Sequence, residues 1–191
     1  GVDISDNVIE GCVASVVVDH VKESLRISDN SIRGSLAGNV GTYERCAVNI
    51  RNIAGDMQVE VSGNTFVGGA TSGGAVHWDR DVASPTAGTV HASIKDNFVD
   101  SMGQDGDWDN QADRALIFIK GKSSSDTINT LHVSGNRYEF TDSNAGTYGM
   151  FVLNVTKAVT FDSIMEFGAQ SGGNATRNTM AINRAGVAAG D

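Results

Sequence analysis

The chain has 191 residues, 40% of them apolar, which is enough to bury one continuous core and too much for disorder throughout. Its formal net charge is −9, with 14 Lys and Arg against 23 Asp and Glu and no basic cluster beyond isolated pairs, so nucleic acid and anionic membrane are excluded as partners. No apolar run is long enough to cross a bilayer as a helix, which excludes membrane insertion by that route, and no secretory signal pattern is present.

In chain order, the first predicted element is Val2-x-Ile4-Ser5-Asp6-Asn7-x-Ile9, and four more segments superimpose on it. They are Leu25-x-Ile27-Ser28-Asp29-Asn30-x-Ile32, Val59-x-Val61-Ser62-Gly63-Asn64-x-Phe66, Ala92-x-Ile94-Lys95-Asp96-Asn97-x-Val99 and Leu131-x-Val133-Ser134-Gly135-Asn136-x-Tyr138. In each, apolar residues stand five and three positions before the Asn and two after it. A half-buried strand of period 2 is therefore interrupted by a two-residue corner and resumed. Asn tolerates the left-handed backbone region, so the reading places that conformation at the Asp-Asn or Gly-Asn corner. The Asn residues at 7, 30, 64, 97 and 136 are separated by 23, 34, 33 and 39 residues, inside the range in which repetition signals a stacked array. One copy per coil would bring Asn7, Asn30, Asn64, Asn97 and Asn136 into line as an amide ladder.

Between the templates runs a second series of strands, Cys12 to Val18, Cys46 to Ile53, Ala75 to Arg80, Arg114 to Lys120 and Met150 to Val155. Each coil then has three faces: this series, the strand before the Asn and the short strand after it. At about 4.8 Å per coil, five coils make a rod about 25 Å tall. A sixth apolar strand, Val159 to Phe167, lacks a corner Asn, and residues 168–191 are too small and polar to bury much, so the expected division is a solenoid over 1–167 and a tail or partner-dependent segment over 168–191. Gly1 leads at once into the first template, and the expectation is that preceding protein or another chain covers that coil. Cys12 and Cys46, 34 residues apart, are expected as near neighbours in the stack and as free thiols.

On these repeated units the chain resembles the right-handed, single-stranded parallel β-helix of the pectate-lyase-like superfamily, an all-β solenoid whose coils carry three strands and an Asn ladder. The resemblance covers about residues 1–167, at about five coils, and within the superfamily it is most similar to part of a bacteriophage tailspike. What that implies is a homotrimer on the virion tail that binds bacterial surface polysaccharide outside the cell and often cleaves it. The repeated units carry no catalytic residues of the family, so none transfers. The alternatives are a non-catalytic structural or adhesive fibre segment and a truncated, secreted bacterial polysaccharide lyase, for which Lys95 and Arg80 are the weak candidates for proton acceptor.

Candidate chemistry collects in two places. In His77-Trp78-Asp79-Arg80-Asp81, alternation with Val76 and Trp78 inward sets His77, Asp79 and Asp81 outward into a groove. Two carboxylates at i and i+2 stand about 7 Å apart, a separation suited to inverting glycoside hydrolysis. The alternative is a solvated strand with Asp–Arg pairing. The loop from Asp105 to Asp113 adds Asp105, Asp107, Asp109 and an aromatic, Trp108, whose face suits a sugar ring. Its alternating Asp residues resemble a calcium loop, but Asn110 and Leu116 occupy the positions that need Gly and a bidentate acid, so no metal is assigned; the alternative is an ordinary exposed acidic loop. The hydrolytic pool is therefore Asp79, Asp81, Asp107 and Asp109, with His77, Trp78, Arg80, Asp105, Trp108, Glu44 and Arg114 as substrate-binding candidates. No metal constellation among the histidines, nucleotide fingerprint or phosphate-cradling loop is found, so no cofactor is assigned.

Overall fold

The computed structural model describes residues 1–11, 16–34, 47–51, 56–68, 74–79, 90–100, 115–120, 128–139, 148–153, 158–161, 166–167 and 180–183. These residues form three six-stranded sheets in which every pairing is parallel. The first sheet holds the strands before the Asn corner: β1 (Val2–Ser5), β4 (Glu23–Ser28), β7 (Met57–Ser62), β10 (Val90–Lys95), β13 (Ile128–Ser134) and β16 (Ala158–Phe161). The second holds the short strands after it: β2 (Val8–Glu10), β5 (Ser31–Arg33), β8 (Thr65–Val67), β11 (Phe98–Asp100), β14 (Arg137–Glu139) and β17 (Glu166–Phe167). The third is the second series: β3 (Val16–Asp19), β6 (Val48–Arg51), β9 (Val76–Asp79), β12 (Ala115–Lys120), β15 (Tyr148–Leu153) and β18 (Met180–Asn183). Each strand pairs with the one three elements along the chain, which is the connectivity of a β-solenoid.

Register stacks like on like. Leu25, Val59, Ala92 and Leu131 form one inner row of the first sheet, and Ile27, Val61, Ile94 and Val133 form the next. Ile32, Phe66 and Val99 line the second sheet, and Ile50 and Trp78 the third. All of these side chains are buried, and together they make one core cluster running along the stack. At about 25 cal/mol per Å² of apolar surface removed from water, such rows supply most of the drive for folding.

The five predicted Asn residues do form a ladder. Both the backbone N–H and Nδ2 of each donate to Oδ1 of the next, at 3.0 and 3.0 Å for Asn7 to Asn30, 3.1 and 3.0 Å for Asn30 to Asn64, 3.1 and 2.9 Å for Asn64 to Asn97, and 3.1 and 2.8 Å for Asn97 to Asn136. The second hydrogen on Nδ2 goes the other way, from Asn30 to Ile4 O, Asn64 to Ile27 O, Asn97 to Val61 O and Asn136 to Ile94 O, each close to 3.0 Å. Only an amide, donor and acceptor in one planar group, can make both sets. Asn30, Asn64, Asn97 and Asn136 are buried, and the ladder satisfies them.

Within the two-residue corner, the left-handed conformation belongs to the residue before the Asn and not to the Asn itself. Asp6, Asp29 and Asp96 have φ of 59°, 58° and 55°, and Gly63 and Gly135 have φ of 65° and 62°. The preceding residue makes the bend, and the Asn is kept for its hydrogen bonds. A Cβ on Gly63 would meet the Asp29 carboxylate unless that side chain turned away, and one on Gly135 would meet that of Asp96. A carboxylate on one level overhangs a glycine on the next.

At the far end, the single strand expected over 159–167 is two strands, β16 in the first sheet and β17 in the second. Within the segment read as a tail, β18 pairs with β15 and extends the third sheet. Cys12 and Cys46 lie outside the described residues.

Candidate functional site

The sequence candidates belong mostly to the third sheet and its flanking segments. Val76 and Trp78 are 1% and 0% exposed, as inward positions require. His77, on the opposite row, is itself only 3% exposed, so its position is closed where the alternation leads one to expect an open groove. Asn49, its partner in register on β6, is equally buried, and neither its Oδ1 nor its Nδ2 has a hydrogen-bond partner among the described residues. The Trp78 indole N–H likewise has no acceptor among the described residues. At these positions β6 and β9 are thus buried on both faces.

Asp79 ends β9, and its register position lies between Arg51 on β6 and Lys120 on β12, with Asp19 one strand further. The row reads Asp, Arg, Asp, Lys. The other hydrolytic candidates, Asp81, Asp107 and Asp109, and the binding candidates Arg80, Asp105, Trp108, Glu44 and Arg114, lie outside the described residues.

An open depression of about 580 Å³ lies instead on the first sheet. Its floor is built from the template positions that the apolar pattern skips. Asp3, Arg26, Glu60, Ser93 and His132 form one row in register, and Ser24, Gln58, His91 and Thr130 the adjacent one. Because the flanking residues of β1, β4, β7 and β10 are committed to the core, the side chains of Asp3, Ser24, Arg26, Gln58, Glu60, His91 and Ser93 stand on the opposite face, and all seven line the depression. The sequence signal was present, since every one of these positions is polar, but a search for clustered acids and aromatics passes over polarity spread one residue per strand.

The face is electrostatically organised. Arg26 Nη1 lies 3.4 Å from Asp3 Oδ2, and its Nη2 lies 3.9 Å from Asp29 Oδ2. Lys95 Nζ lies 3.2 Å from Glu60 Oε1, which also accepts a hydrogen bond of 2.9 Å from Ser62 Oγ. The Ser62 hydroxyl, opposed by partial burial and helped by Lys95 and Arg26, holds the Glu60 carboxyl below its ordinary value. Glu60 is therefore a committed anion and a poor proton donor at neutral pH. Ser134 Oγ and His132 Nε2 are 3.0 Å apart at the other end of the face. Among the described residues no three His, Cys, Asp or Glu side chains are grouped to hold a metal ion. What the arrangement offers is a row of fixed hydrogen-bonding groups of both signs, repeated at the strand spacing, suited to a long polar ligand with many hydroxyls. Comparisons with protein families, with curated proteins and with solved structures return no match for this chain.

Proposed function

We propose that this chain is a right-handed parallel β-helix segment of a homotrimeric bacteriophage tailspike, acting outside the cell by binding bacterial surface polysaccharide. The observation that carries the reading is the depression on the first sheet, where Arg26, Gln58, Glu60, His91 and Ser93 come from three consecutive strands of that sheet, β4, β7 and β10, in a ladder-held stack. A linear polymer meets such a surface in repeating register, and polar side chains fixed by ion pairs give up little entropy on binding it. Asp3 and Glu60 flank Arg26 two strand spacings apart, about 9.6 Å between backbones. Hydrolysis, if it accompanies binding, belongs to the pool Asp79, Asp81, Asp107 and Asp109.

The register of Asp79 between Arg51 and Lys120 favours a second reading, a non-catalytic adhesive segment of a fibre. One experiment addresses both. Capsule and lipopolysaccharide from a panel of bacterial hosts are titrated against the assembled protein, with retention and reducing-end release measured together. Binding that falls at least tenfold in Arg26→Ala and Gln58→Ala supports the glycan face, and release of reducing ends that is lost in Asp79→Asn adds hydrolysis. Binding without release supports the adhesive reading. No retention of any glycan overturns both.

A further inference from the structure

We propose that the outer edge of β1, β2 and β3 is a docking surface for one further β-coil, running parallel to them and carrying an Asn at its own corner. Four observations converge on that occupant, and each is read from how the inner levels of the stack treat the same position. The Oδ1 of Asn30, Asn64, Asn97 and Asn136 each accepts two hydrogen bonds from the Asn on the level before, whereas Asn7 Oδ1 accepts none among the described residues. The Nδ2 of each later Asn reaches a carbonyl three residues before the preceding Asn, whereas Asn7 Nδ2 folds back onto Ser5 O at 2.9 Å. The backbone N–H one residue after each later Asn, on Ser31, Thr65, Phe98 and Arg137, donates at 2.8 Å to the preceding Asn carbonyl. The equivalent Val8 N–H has no carbonyl to reach among the described residues.

The apolar surface agrees. On the inward row of β1, Val2 is 38% exposed, whereas Leu25, its partner in register, is 1% exposed. Ile4 and Ile9 are only partly buried, whereas Ile27 and Ile32, their partners in register, are 0% and 1% exposed. An edge with an open donor, an open acceptor and under-covered inward side chains on both β1 and β2 is complementary to a coil that bends at the same corner rather than to a single strand. The chemistry also selects against a second copy of the chain. Stacked head to tail, a copy would bring β16 and β17 against β1 and β2, and the residues that join those two strands in sequence, Asp162, Ser163, Ile164 and Met165, include no Asn or Gln. Stacked head to head, it would set Asn7 Oδ1 against Asn7 Oδ1, acceptor on acceptor.

The test joins a copy of residues 24–57 ahead of Gly1, which keeps register because Gly1 occupies the position of Ser24 and Gln58 in the first sheet. The expected result is slower hydrogen exchange of the Val8 amide by about tenfold or more, with a raised thermal midpoint. The same fusion carrying Ala in place of the copied Asn30 should lose most of that gain. A copy of residues 58–90 gives the same register, since His91 aligns with Gln58, and it serves as an independent coil should the first fusion fail to fold. Unchanged Val8 exchange in both fusions, or equal protection by the Ala version, overturns the proposal. So does protection of Val8 in the unfused chain that rises with protein concentration together with a doubled mass, because the occupant is then a second copy.

Discussion

Asn64 and Asn7 occupy the same place in the same template, yet the first is fully buried with a partner for every polar atom of its side chain, and the second is exposed with an acceptor open to solvent. The difference comes from neighbours alone. In a stacked array each level is stabilised by the levels on either side, so identical residues contribute according to their depth in the stack. Interior amides are costly to lose because removal strands partners that water cannot reach, whereas an end amide exchanges one set of hydrogen bonds for another with solvent.

The sharpest way to break the comparison is to remove the amide at both places. Asn64→Ala should destabilise by about 3 kcal/mol or more, since it leaves the buried Asn30 N–H and Nδ2 without their acceptor and Ile27 O and Asn97 Oδ1 each short of a donor. Asn7→Ala should cost below about 1 kcal/mol. Urea midpoints of the two variants measure the gap, and equal losses would contradict it. A similar contrast holds for the core: Phe66→Ala, at 0% exposure, should cost about 3–5 kcal/mol, and Ile9→Ala, on the corresponding row at the open end, markedly less.

The corner supplies a smaller effect. Gly63→Ala places a Cβ against the Asp29 carboxylate at a backbone angle that L side chains rarely adopt, and about 1–2 kcal/mol of destabilisation is expected in thermal melts. Asp29→Ala in the same background should recover the part due to the collision and leave the part due to the backbone. The smallest effect belongs to the exposed face. Because the folded Glu60 carboxyl lies below its unfolded value, its contribution is present above the usual carboxyl value of about 4.3 and is lost as pH falls through the lowered folded value. The stability difference between the parent and Glu60→Gln should be below about 1 kcal/mol at neutral pH and vanish in acid.

The ladder was legible in the sequence because it needs one residue type at one place in a three-point apolar register, and few other arrangements produce both. The inward rows were legible for the same reason. The corner angle was not, since Asp-Asn and Gly-Asn each contain two residues able to adopt positive φ, and only the folded backbone shows that the first one does. The depression escaped notice because Asp3, Arg26 and Glu60 are scattered by 23 and 34 residues and become neighbours only through the register. The burial of His77 and Asn49 was hidden because strand alternation tells which row a residue joins and not what covers that row.

The central claim is that five amides form one continuous line, and the side-chain exchange of those amides tests it most directly. Resolved by NMR in native protein, the Nδ2 protons of Asn64 and Asn97 should exchange about a hundredfold or more slowly than those of Asn7, with Asn30 and Asn136 also protected. Exchange at a common, solvent-like rate for all five would contradict the ladder.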